Sequence, residues 1–168
     1  MIAKRVGITK PSIYYHFATK EDLISEVFKH VFNGHYFTSY FQIDSIDESN
    51  FAQALYEGGI NMMPVDDKEH YAVLRVINEF AMLAEREALY RERQTEMHQQ
   101  FLNGFRGLLF IGADLGVVPP RNIDYKAHLL ALVIDNISRC VMMKIEMDYQ
   151  GVWKEAVNSI LNEGFKIS

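Results

Sequence analysis

Lys10, Ser12, Tyr14, Tyr15 and His16 place a cation, a hydroxyl, two phenols and an imidazole on one short stretch near the amino terminus. Groups of this kind at the amino-terminal end of a helix can bond to phosphate oxygens and to base edges in a major groove. Thr9 is placed to cap that helix. Pro11 falls in its first turn, where a missing N–H costs nothing because that amide has no intrahelical partner. Lys20, at the start of the next predicted helix, is well placed for a phosphate.

Positioning these groups requires a small helical unit. Ile2, Ala3 and Val6 form the inner face of a short helix, and Gly7 can leave it with positive φ. Ile13 and Phe17, four apart, turn the second helix inward. Thr19 can cap the third, with Asp22 where a capping-box acid would answer. Lys4, Arg5, Lys10 and Lys20 give residues 1–20 a formal +4 with no acid among them. Since the chain totals −5, the rest carries −9. A small basic patch on an acidic protein suits phosphate contact at one end and something other than nucleic acid elsewhere.

The order Gly7-Ile8-Thr9, Ser12-Ile13-Tyr14-Tyr15-His16-Phe17 and Thr19-Lys20-Glu21-Asp22-Leu23 resembles the helix-turn-helix of the tetracycline-repressor (TetR) family of transcriptional regulators. The resemblance implies an all-α chain with a DNA-binding head over 1–42, connecting helix included, and a ligand-binding and dimerisation body over 43–168. It implies a homodimer that binds a pseudo-palindromic operator and is released from it by a small, largely apolar effector. Thr9, Lys10, Pro11, Ser12, Tyr14, Tyr15, His16 and Lys20 are then the DNA-contacting residues.

Family members carry a complete helix before this point, whereas this chain opens at Met1 inside the second. Ile2, Val6, Ile13 and Phe17 are therefore expected to be short of partners, and the head to bind DNA poorly. The alternative reading is a helical ligand-binding or interaction dimer that no longer binds DNA.

With 168 residues, 49% of them hydrophobic, the chain can bury a real core. Its single cysteine, Cys140, lies in an apolar run and is expected to pack, which leaves no disulfide framework and fits a reducing cytoplasm. No apolar run reaches the roughly 18 to 20 residues that span a bilayer, so no membrane partner is expected.

The third helix is predicted from about Lys20 to about Tyr40, with Leu23, Val27, Phe28, Val31 and Phe32 on its apolar face; His30 and His35 lie on it at a spacing unsuited to a metal pair. A polar loop, 44–50, precedes a helix from about Phe51 to Met63, stopped by Pro64. Its two glycines, Gly58 and Gly59, weaken it by about 1 kcal/mol each relative to alanine, and a close helix approach is one reason to keep them. Asp66 with Glu69 marks the next start, in a helix ending near Glu87 whose polar stripe includes Arg75 and Asn78.

A further helix is predicted from about Ala88 to Leu115. Gly116 and the pair Pro119-Pro120 then break the chain before a helix from about Tyr125 to Met147 and a last one from about Val152 to Phe165. The Tyr125 to Met147 helix is apolar on two faces and needs two partners, of which the simplest outside one is a second copy. Leu130, Ile134, Ile137, Val141, Val157, Ile160 and Leu161 are the expected dimerisation residues.

No phosphate-binding glycine loop, His-Glu-x-x-His, Cys-x-x-Cys or Gly-x-Ser-x-Gly occurs. His70, His98 and His128 fall on three different predicted helices. The reading is therefore a non-enzyme without cofactor or metal. Met62, Tyr71, Phe80, Met97, Phe101, Phe105 and Met142 are candidates to line an adaptable apolar effector site, since methionine conforms to irregular space.

Overall fold

The backbone of residues 7–33, 37–63 and 68–168 is described by a computed structural model, and it is all-helical. The side chains of 10, 31–33 and 68–70 lie outside that description, as do Ile2, Ala3, Lys4, Arg5, Val6, His35, Pro64 and Asp66. Eight α-helices occur among the described residues: α1 Lys10–His16, α2 Lys20–Asn33, α3 Phe37–Tyr40, α4 Phe51–Asn61, α5 Lys68–Ala84, α6 Ala88–Asp114, α7 Ile123–Met142 and α8 Tyr149–Ile160. Two compact units divide the chain, Met1–His35 and Tyr36–Ser168. No helix among the described residues is long and apolar enough to cross a membrane.

The division falls earlier than residue 42 because Phe37 and Phe41 belong to the core of the second unit. Their rings stack 4.3 Å apart, and both meet Phe105 of α6 edge-on, at 5.0 and 5.7 Å. Phe51, Leu55, Phe105, Leu108, Leu109, Leu130, Val117, Val118, Trp153 and Val157 complete a core from which water is excluded. Burial on this scale, at roughly 25 cal/mol per Å² of apolar surface, is the main force holding α4, α6, α7 and α8 together.

Glycines make the closest approaches possible. A Cβ on Gly59 would lie 2.1 Å from the Trp153 indole, and one on Gly58 2.2 Å from the Phe41 ring. Gly104 and Gly112 of α6 seat Phe37 and Phe51 in the same way, each at 2.3 Å. The helix-weakening pair Gly58-Gly59 is thus explained by contact. The Trp153 indole also donates to the Tyr56 carbonyl at 2.9 Å, so the ring is held both by shape and by a hydrogen bond between α8 and α4.

Local chemistry sets the helix ends. In the loop before α4, the Asp47 carboxylate accepts from the Ser49 hydroxyl at 2.7 Å, the Ser49 amide at 2.8 Å and the Asn50 amide at 3.1 Å, which holds its pKa below the usual range. At the end of α6, Gly116 adopts φ +75°, and the Val117 amide reaches back to the Gly112 carbonyl at 2.8 Å, closing a Schellman turn.

The same turn ends α7 five residues before the predicted end. Lys144 sits at φ +55°, its amide donates to Val141, and the Ile145 amide donates to Cys140. The usual glycine signal is absent there because a lysine takes the left-handed position. At the other end α7 begins at Ile123, two residues early, after Asn122 at φ +60°. Arg106 of α6 pairs with Asp124 at 2.6 Å and Lys126 donates to the Pro119 carbonyl at 2.5 Å, tying the hairpin. The last helix runs earlier than predicted, from Tyr149, because the Asp148 side chain accepts from the Gly151 amide at 2.9 Å. Asn162 then straps the end of the chain to that hairpin through the Gly116 carbonyl, at 2.7 Å.

Two substitutions test these assignments. Gly59→Ala gains about 1 kcal/mol of helix propensity but overpacks Trp153, which typically costs about 1 to 3 kcal/mol, so chemical denaturation is expected to show a net loss. Lys144→Gly is expected to raise stability by about 1 kcal/mol, because it relieves a left-handed lysine.

Candidate nucleic-acid interface

Gly7 adopts φ +71°, as the turn requires. Thr9 is extended, at φ −90° and ψ 154°, and its hydroxyl accepts from the Ser12 amide at 3.3 Å and meets the Ser12 hydroxyl at 2.8 Å. Pro11 occupies the first turn of α1. The helix closes where the Phe17 amide donates to Ile13 at 2.9 Å. A reciprocal box then starts α2: the Thr19 amide donates to the Asp22 carboxylate at 2.9 Å, and the Asp22 amide to the Thr19 hydroxyl at 3.0 Å.

These caps leave α1 with an inward pair and an open face. Ile13 and Phe17 are half-buried, whereas Tyr15 is 86% exposed, Tyr14 54%, and His16 and Lys20 are exposed as well. The Tyr15 and His16 rings meet edge to face at 5.1 Å, which narrows the directions either can take. Thr9 and Ser12 bond to one another, so they chiefly hold the helix start. Lys10 lies on the helix backbone, but its side chain is outside the described residues.

The residues expected to line an effector site do not form a single cluster. Phe105 is fully buried among Phe37, Phe41 and Trp153, and Phe101 meets Phe37 edge-on at 6.2 Å. Phe80 stacks on Tyr90 at 5.7 Å. Tyr71 and Met142 do come together, the phenol donating to the Met142 carbonyl at 3.2 Å. Met62 and Met97 are half-buried. Asn78, on the polar stripe of α5, donates to the Met142 sulfur at 3.2 Å.

The expected dimerisation residues lie mostly inward within the single chain. Leu130, Ile134, Ile137, Val157, Ile160 and Leu161 are buried in the chain's own core, and Val141 is half-buried against it. They pack within the chain's own core and, Val141 apart, are almost wholly covered by it. The open apolar side of α7 is the other one, carrying Tyr125 at 75%, Leu129 at 42% and Leu132 at 61% exposure. Periodicity showed two faces but not which of them the chain covers itself.

Trp153, Phe37 and Phe51 were not singled out as core by sequence reasoning, because their partners are glycines and rings far away in the chain. Among the described residues no three or more His, Cys, Asp or Glu side chains are placed to hold a metal. Asp135, on the outer side of α7, has its pKa raised by desolvation, opposed by the charges of His98 and Arg139.

Residues 1–27 match the family model described as bacterial regulatory proteins, tetR family. A comparison with characterised proteins finds no sequence match. Among solved structures, the chain is similar to a transcriptional regulator from Rhodococcus sp. Rha1, with a TM-score of 0.75 and 16% identity over 95% of this chain and 82% of that one. At that identity the likeness shows the fold. The match of residues 1–27 agrees with the motif read from the sequence, and the structural likeness agrees with an all-helical chain.

The raised pKa of Asp135 fixes a sign. A carboxyl whose folded pKa lies above its unfolded value stabilises below the unfolded pKa, and that contribution is lost as pH rises through the folded value. Asp135→Asn is therefore expected to gain stability relative to the native chain at neutral pH and to lose that advantage in acid. Thermal unfolding across pH checks it.

Proposed function

We propose that this chain is a ligand-responsive repressor that reads a pseudo-palindromic operator through the open face of α1. The observation that carries the reading is a helix fixed at its start by Thr9 and Ser12, with Tyr14, Tyr15 and His16 left exposed, inside the segment that matches the family model. Tyr14 and Tyr15 contact base edges or phosphates, together with Lys10 and Ser12. Thr9, Pro11, His16 and Lys20 serve the backbone side of the interface. The first compact unit is the DNA-binding head and the second the effector-binding and dimerisation body. The setting is the cytoplasm, where the chain meets DNA.

A palindromic site calls for two copies, and the exposed Tyr125, Leu129 and Leu132 supply a self-complementary apolar face. A small, largely apolar effector lodges beside α5, near Tyr71 and Met142, with Asn78 as a polar anchor. It releases DNA only to the extent that it binds the DNA-competent state less well than the alternative.

Gel shifts on the promoter region at several salt concentrations test the head. Lys20→Ala is expected to weaken binding to all sequences and to lower the salt slope by about one unit. Tyr14→Ala is expected to change the preference among sites. If both variants left affinity and salt dependence as they were, α1 and the start of α2 would not be the interface. Sedimentation tests the pairing: Leu132→Asp is expected to turn a dimer into a monomer with its helical content intact.

A further inference from the structure

We propose that Met142 is a redox-sensitive latch that holds α5 against the end of α7, and that its oxidation by a peroxide loosens α5. The inference concerns regulation of the body and does not depend on which effector or DNA the chain binds.

Helix α5 is weakly held. Of its described side chains only Phe80 is buried, while Tyr71, Val73, Leu74, Val76, Ile77 and Asn78 are half-exposed. Toward α6 it has the Phe80–Tyr90 stack, the Gln94 amide donating to the Ile77 carbonyl and, at its end, the Arg91 guanidinium donating to the Ala84 carbonyl, each bond at 3.1 Å. Toward α7, Tyr71 and Asn78, two turns apart on one side of α5, both end on Met142. The phenol takes the carbonyl and the amide takes the sulfur, each at 3.2 Å.

A thioether is an unusual anchor for a side-chain amide, because sulfur is a weak acceptor and can be oxidised. Met142 is half-buried at the last turn of α7, so a small oxidant can reach it. One sulfur lone pair attacks an oxygen of the peroxide. The O–O bond breaks, sulfur is oxidised by two electrons to the sulfoxide, and the departing oxygen leaves as water after proton transfer. Sulfur carries two lone pairs, and oxidation of either disturbs the latch. Oxygen added on the side facing Asn78 has no room between atoms 3.2 Å apart, and oxygen added on the other side leaves a sulfur with little acceptor strength.

The neighbouring Met143 and Met147, and Met82 on α5, are more exposed, at 67%, 42% and 64%, and are oxidised alongside it. The latch is assigned to Met142 because, among the described residues, its sulfur is the one bonded to α5.

The experiment is hydrogen exchange over residues 71–84 before and after graded hydrogen peroxide, with sulfoxide at each methionine followed by peptide mass spectrometry. In the native chain, exchange in α5 is expected to rise about five-fold in step with Met142 sulfoxide, the effect of losing one net hydrogen bond. Methionine sulfoxide reductase is expected to reverse it. Met142→Leu and Asn78→Ala are each expected to start at the loosened level and not to respond, the latter even though Met142 is still oxidised. Unchanged α5 exchange at full Met142 oxidation would overturn the proposal. So would a peroxide response persisting in either variant, or a Met142 that stays reduced while Met143 and Met147 are fully converted.

Discussion

Aromatic rings resting on glycine backbone organise the body. Phe41 and Trp153 sit on Gly58 and Gly59, and Phe37 and Phe51 on Gly104 and Gly112, at separations that leave no space for a single methyl group. Each glycine costs its helix about 1 kcal/mol of propensity, and that loss is offset only if the ring it admits buries more than a methyl would allow. Phe105 connects three of the four sites, since it meets Phe37, Phe41 and Trp153. The contacts therefore stand together, and removing one ring exposes a glycine that has no side chain to fill the gap.

The head is held differently. Its helix starts are set by short-range hydrogen bonds, Thr9 with Ser12 and Thr19 with Asp22, while Ile13 and Phe17 are half-buried and Phe28 is buried. Caps of this kind contribute about 1 kcal/mol each, far less than a packed core, but they fix where a helix begins and hence which side chains face outward. That is what a reading surface needs. The exposed phenols of Tyr14 and Tyr15 cost little to hold ready, since a tyrosine has few rotatable bonds to lose.

The legible part of the fold was the local part. Gly7, Thr9, Thr19 with Asp22, and Gly116 act through neighbours within a few residues, so their positions read directly as turns and caps. The end of α7 was hidden because Lys144 takes a conformation that glycine ordinarily marks, and Trp153 was hidden because its partners, Gly59 and the Tyr56 carbonyl, are nearly a hundred residues away. The two-faced character of α7 was legible from periodicity alone. Which face α6 and α8 cover was not, and Leu130, Ile134, Ile137, Val157, Ile160 and Leu161 lie in the chain's own core. For the effector candidates, aromatic and methionine content identifies what can line a cavity but not where each side chain goes: Phe101 and Phe105 pack against other rings and Tyr71 and Met142 meet across α5 and α7.

On the proposed reading, the outward face of α1 reads DNA sequence as part of a two-fold assembly. Selection of bound duplexes from a random pool, followed by sequencing, tests it most directly. An enriched inverted repeat is expected, with half-site centres about 34 to 36 Å apart, or a multiple of that distance, and with the enrichment lost in Tyr14→Ala. A pool with no enriched sequence, or the same repeat enriched by Tyr14→Ala as by the native chain, would contradict it.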